Sequence, residues 1–242
     1  NNVWCFGRRT TATFTGGTPV FSENNMEVYE CSSSVSDAAG NLLFYTSGSK
    51  IWDASGNLMP NGTALAGSTG SSMNGVAIVQ SVSNPDQYYV ITTDEFESGL
   101  ANAYYSVVEM NLNGGLGDVV PGQASVLIDT GLAEGVLVTP IPGCSGYWLV
   151  LHRRYTPQYM AYHLGAGGFA GTPVISTSPF PPVINSFFGY GTFNNAGNRV
   201  VYSWSQLVET ASFDDNTGIF SDFIKLDFTP NALYYNIFSP ND

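Results

Sequence analysis

Along this chain, short apolar runs rich in β-branched and aromatic residues alternate with clusters of Gly, Asn, Asp, Ser and Pro. No segment carries a helical period with caps, so the pattern predicts strands and tight turns. One arrangement recurs: an apolar strand, a turn, then a stronger aromatic or β-branched strand. It is seen at Ser34–Tyr45, Val76–Ile91, Val136–Leu151 and Tyr190–Tyr202, and its first half returns at Tyr234–Asp242. The turns fall near Asp37, Asn84, Gly143, Asn195 and Asn241, about 46 to 59 residues apart, near the roughly 40–50 of propeller repeats. A second hairpin follows each strong strand, turning at Asp53–Asn57, at Asn113-Gly-Gly, after His163 and at Asp214–Gly218.

Each unit therefore reads as four antiparallel strands, and such units repeated radially make an all-β propeller. The predicted boundaries are an N-terminal outer hairpin at 1–23, blades at 28–66, 74–129, 134–177 and 187–227, and the start of a further blade at 232–242. The ending Leu233–Asp242, LYYNIFSPND, runs a strand into turn chemistry with no second strand after it. A bare strand edge of that kind is one that natural sheets avoid. The expectation is a single propeller domain that continues past Asp242, with a ring of about five blades closed by a three-stranded seam as the alternative.

Composition narrows the function classes. The chain has 242 residues, 43% hydrophobic, 14% aromatic and only 11% charged, against about a quarter charged in ordinary domains. Seven Lys and Arg face 19 Asp and Glu, for a net charge of −12, which excludes the basic face that nucleic acid or anionic lipid requires. No apolar run is long enough to span a bilayer as a helix. The start, Asn1-Asn-Val-Trp, fits a mature terminus left by signal removal. Cys5, Cys31 and Cys144 are too few and too scattered for a disulfide scaffold or zinc site. They leave open one disulfide with a free thiol or three buried thiols.

Candidate chemistry is sparse. His152, Arg153, Arg154 and Tyr155 form the one dense polar cluster at a strand end, where planar guanidinium groups suit an acidic ligand; local pairing with carboxylates is the competing reading. His152 and His163 are the two histidines, with no third ligand at a useful spacing for zinc. The turn aspartates Asp37, Asp53, Asp86, Asp214 and Asp215 match no calcium ladder and read as turn caps. Glu95, Glu97 and Glu109 are the carboxylates available for glycoside chemistry. No Gly-x-Ser-x-Gly elbow occurs. Of the tryptophans, Trp148 and Trp204 lie in strong strands as packing residues, and Trp52 opens an outer hairpin as the best candidate for a stacking surface, with burial in the core as its competing reading.

Asn41–Leu65, NLLFYTSGSKIWDASGNLMPNGTAL, carries a more specific signal. With Ser36 and Asp37 before it, this stretch resembles the N-terminal propeller of large Bacteroidetes surface proteins that carry a gliding-motility-associated, type 9 secretion sorting domain. Tyr104–Val119, Gly143–His152 and Phe213–Leu226 resemble the following blades in order, and VWCFG at Val3–Gly7 resembles the segment after the family's signal peptide. FSPND at Phe238–Asp242 stands where that family continues into further blades. The resemblance implies a non-enzymatic interaction module, exported by the type 9 machinery to the surface of a Gram-negative bacterium. A role in adhesion or gliding-related structures follows, with protein or glycan partners, while the residues themselves point to no cofactor, metal, nucleic acid or membrane insertion. The alternatives are a carbohydrate-active propeller enzyme and a docking subunit of a large outer-membrane complex.

Overall fold

The computed structural model describes residues 2–14, 17–67, 70–181, 189–204 (of Trp204, the backbone alone), 207–226 and 236–239. The chain is all-β, built from antiparallel meanders of the β-propeller blade type. It divides into two compact units, 1–80 with 84–129, and 81–83 with 130–242. Among the described residues no helix is long and apolar enough to cross a membrane.

The first unit holds three sheets. Strands β1 (Val3–Phe6), β2 (Arg8–Thr13) and β3 (Val20–Glu27) form the first, so the N-terminal segment expected as a hairpin ending at residue 23 carries a third strand reaching Glu27. A bulge at Arg8/Thr10 absorbs the Gly7 turn (φ +58) and the left-handed Arg9 (φ 61). Strands β4 (Ser33–Ser36), β5 (Leu42–Thr46) and β6 (Ile51–Asp53) form the second sheet. It has three strands because its outermost position is taken by a folded-back turn, Met59-Pro-Asn-Gly62. There Ile51 N donates to Gly62 O (2.8 Å) and Met59 N to Ile51 O (2.9 Å). A Cβ on Gly62 would stand 3.0 Å from that of Met59 and 3.2 Å from that of Ile51, so glycine closes the turn. The third sheet runs β10 (Asp118–Val119), β9 (Asn102–Glu109), β8 (Gln87–Thr93), β7 (Val76–Gln80), with β11 (Val126–Thr130) also on β9. Asp118 accepts from the backbone and side-chain amides of Asn61 at 2.8 and 2.7 Å, tying the Met-Pro-Asn-Gly turn to β10.

The second unit holds two sheets. One runs β12 (Leu137–Pro140), β13 (Gly146–His152), β14 (Gln158–Gly165), β15 (Gly168–Phe169), with β16 (Val174–Thr177) also on β14. The other runs β17 (Tyr190–Phe193), β18 (Arg199–Trp204), β19 (Leu207–Asp214), β20 (Ile219–Leu226). The predicted last element, 232–242, lies mostly outside the described residues. Within it Asn236 donates to Tyr190 O (2.8 Å) and Ser203 Oγ (2.9 Å).

One turn chemistry recurs and explains the repeated Asp/Asn-x-x-Gly-Asn pattern. In Asp37–Asn41 the Asp37 carboxylate accepts from Asn41 N (2.8 Å) and Asn41 Nδ2 (2.9 Å), while Gly40 at φ +90 turns the chain. Asp53–Asn57 repeats the backbone bonds, with Asp53 accepting from Ser55 N and Asn57 N. Asn194–Asn198 does so with an amide in place of the carboxylate. These side chains mimic one turn of backbone and leave the fourth position to a residue free to adopt positive φ. The aspartates at these turns are structural caps.

The central strands β8 and β13 are buried almost throughout, which is why they read as unbroken apolar runs. Met26, Phe44, Ile51, Met59, Val90 and Val108 anchor the core of the first unit. Trp148, Val150, Tyr159, Tyr202, Phe213 and Phe220 anchor that of the second.

Candidate functional site

The four residues expected to gather at the end of β13 separate. His152, its last residue, is 2% exposed, edge-on to Tyr159 (4.8 Å between centroids) and stacked on Tyr202 (5.2 Å, 29°). Burial holds its imidazole neutral, with a pKa lowered to about 3. Arg153 turns to its own surroundings, donating to Thr130 O at 3.1 Å and Met160 Sδ at 3.0 Å. Arg154 lies over the exposed ring of Tyr155 at 4.8 Å.

Trp52 is buried rather than displayed: its indole stacks on Tyr45 at 5.4 Å and 6°. Trp148 is also core, its Nε1 donating to Asp215 O at 2.7 Å. The side chain of Trp204 lies outside the described residues. The histidines do not meet, because His163 pairs with Trp148 and His152 with Tyr159 in the β13–β14 register, four rungs or about 13 Å apart. Among the described residues no group of three His, Cys, Asp or Glu side chains could hold a metal. The three cysteines are free thiols, Cys5 and Cys31 buried and Cys144 exposed. Glu95 and Glu109 serve different partners, Ser71 N for the first and the amides of Asn84 and Asn111 for the second, while Glu97 sits exposed in a 3-10 turn.

What the sequence did not disclose is a buried carboxylate in the second unit. Glu209, at the middle of β19, is 0% exposed. Its Oε1 accepts from Tyr159 Oη at 2.6 Å and its Oε2 from Ser178 Oγ at 2.5 Å. Tyr202 faces it across the β18–β19 register. Two glycines make room for that tyrosine: a Cβ on Gly189 would come within 2.4 Å of the ring, and one on Gly191 within 2.5 Å. Desolvation raises the Glu209 carboxyl and both phenols above their ordinary ranges, and holds His152 below its own. The signal in the sequence was weak: Glu209 is one acid on a strand whose first three residues, Leu207, Val208 and Glu209, are all buried. Ionisable, hydroxylic and aromatic groups are thus gathered, but no member of the cluster lines any of the three surface grooves described next.

Those grooves open at the turns. One of about 490 Å³ lies between the β4–β5 and β7–β8 turns. A polar one of about 410 Å³ lies between β2–β3 and the turn after β6. The third, about 500 Å³, lies between the β12–β13 and β17–β18 turns. A fourth surface feature is a sheet face. On β1–β3 the pairs Trp4↔Ala12 and Ala12↔Phe21 set two aromatics either side of a small residue. Trp4 is 53% exposed and Phe21 65%, with Phe6 and Phe14 at 39% each, and the Trp4 and Phe14 rings meet at 4.9 Å. The opposite face sends Val3 and Cys5 into the core.

No protein-family model matches the chain, and no curated protein matches its sequence. Several solved structures resemble it at low identity. A functionally unknown protein from Desulfotomaculum acetoxidans aligns over 88% of this chain at 9% identity and a TM-score of 0.46. A proposed 6-phosphogluconolactonase from Bacteroides uniformis aligns over 94% at 14% identity and 0.43. The Dos1 propeller aligns over 82% at 12% identity and 0.40. The chain spans 63%, 71% and 54% of the length of those three structures.

Proposed function

We propose that this chain is a non-catalytic interaction module of an exported surface protein, binding a protein or glycan partner. The observation that carries the reading is the aromatic face of the first sheet. Four aromatic side chains stand open on one side of three strands whose other side is core. Exposed contiguous apolar surface marks interaction sites, and Trp and Phe are suited to dominate binding energy or stack on sugar rings. The acidic, lysine-poor composition and the resemblance of Asn41–Leu65 to type 9 exported surface proteins support display outside a Gram-negative cell, in adhesion or gliding-related structures.

The test is binding of the labelled chain to intact cells and to a glycan array, beside Trp4→Ser/Phe21→Ser. Saturable binding by the parent, weakened at least about tenfold by the double variant, is expected, since one buried aromatic anchor contributes about 2 kcal/mol or more. No saturable binding, or binding indifferent to the substitutions, overturns the reading. Turnover of chromogenic glycosides would favour the carbohydrate-active alternative. Recovery of the native protein from the cytosol alone would remove the export element.

A further inference from the structure

We infer that the groove between the β4–β5 and β7–β8 turns receives a cationic side chain, arginine or lysine, from a polypeptide partner. Its floor is apolar, made by Val35, Leu43 and Met110, which pack on the core of the first unit, and by buried Tyr88. Its rim carries three side-chain acceptors beside the Ser36 hydroxyl. Asp37 and Asp86 bring a carboxylate from each of two neighbouring sheets. Gln80 donates its amide to Pro85 O (2.7 Å) and Tyr88 Oη (3.2 Å), so what it offers an incoming group is a carbonyl oxygen.

Both carboxylates are held in place without being neutralised. Asp37 is fixed by the two amides of Asn41, and those bonds hold its carboxyl below the usual range. Asp86 is bonded at 3.1 Å to Asn111 Nδ2, which also serves Glu109. Neutral amides orient a carboxylate and leave its charge in place. Among the described residues no lysine or arginine lines the groove.

An apolar floor with an anionic rim suits a methylene stem ending in a guanidinium or ammonium group: the stem lies on the apolar surface while the head meets the carboxylates. The net charge of −12 adds long-range attraction for a basic partner. This polarity is the reverse of the acidic ligand expected for Arg153 and Arg154. The inference rests on the interaction-module reading in taking a polypeptide as the partner. It uses a different surface from the aromatic face, so each can fail alone.

The test is amide and methyl NMR titration of the full chain with acetyl-Gly-Arg-Gly-amide. Its controls are the isosteric neutral citrulline peptide, spermidine, and the Asp86→Asn variant. Shifts confined to the groove, including the Met110 methyl, are expected to saturate near about 1 mM or weaker, as suits a single exposed ion pair. They should vanish with citrulline and weaken up to about fivefold in Asp86→Asn, with the spectrum outside the groove unchanged. Raising the salt concentration should weaken them further. Shifts spread over the acidic surface and indifferent to Asp86→Asn would overturn the site. Equal or tighter occupancy by spermidine would overturn the polypeptide partner and assign the groove to small polyamines.

Discussion

Replacing His152 by Phe should make the protein less sensitive to acid. His152 is sealed between Tyr159 and Tyr202, and its pKa in the fold is about 3, against about 6.5 in an unfolded chain. Between those values the unfolded chain binds a proton that the folded chain refuses. The unfolded state therefore gains on acidification, and the stabilising contribution of neutral His152 is complete above pH 6.5 and lost as pH falls towards 3. Each unit of difference corresponds to about 1.4 kcal/mol. From pH 6.5 to 4.5 the parent should lose roughly 2–3 kcal/mol that His152→Phe does not. Phe keeps the ring contacts and carries no proton, so any packing penalty of the change is a pH-independent offset. Glu209 acts in the opposite sense: its raised carboxyl makes the fold bind protons more readily, a contribution that both proteins share. Urea unfolding followed by tryptophan fluorescence at pH 7.5, 5.5 and 4.5 reads the difference. A parent–variant gap that stays constant within about 0.5 kcal/mol across that range would refute the argument, because it would mean that His152 can be protonated in the fold.

Two further changes probe the same cluster. Glu209→Ala removes the acceptor of two buried hydroxyls at once and should cost about 2–4 kcal/mol, and its double-mutant cycle with Tyr159→Phe should show a coupling of about 1 kcal/mol or more; strict additivity in urea unfolding would mean that the 2.6 Å bond contributes nothing. Gly191→Ala puts a methyl 2.5 Å from the Tyr202 ring and 3.0 Å from Leu137, so it should destabilise by about 1–3 kcal/mol despite the conservative exchange, and unchanged thermal unfolding would show that the ring has room to move.

The strand content and the repeat were legible because each signal is local. Alternating apolar runs, Asp-x-x-Gly-Asn turns and strong central strands specify a meander from residues adjacent in sequence. Where the reading departs from the structure, a distant contact decides. The second sheet stops at three strands because the Met-Pro-Asn-Gly turn folds back on Ile51 and is held by Asp118, 57 residues away from Asn61. The same Asn and Asp letters that cap turns locally are used there across blades, and spacing does not distinguish the two uses.

The site was harder for a physical reason. His152-Arg153-Arg154-Tyr155 looks like a polar patch because sequence gives neighbours, whereas a strand sends successive side chains to opposite faces. His152 ends a strand that is buried on both faces, and the chain leaves the core only after it, at half-buried Arg153 and Arg154 and exposed Tyr155. Conversely, Glu209 is a lone acid in an apolar stretch, and its partners Tyr159 and Ser178 stand 50 and 31 residues away. Its carboxyl group is held by two hydroxyls, in a chain with seven Lys and Arg against 19 Asp and Glu. Such a chain has few internal cations to neutralise its acids, so it orients them with Asn, Ser and Tyr donors. Glu209 and Asp94 then sit with raised pKa values inside the fold. Asp37 and Asp86, oriented by asparagine amides, stand instead at the rim of a groove. The same shortage of cations that shapes the core thus leaves the groove at the β4–β5 and β7–β8 turns suited to a basic group supplied by another molecule.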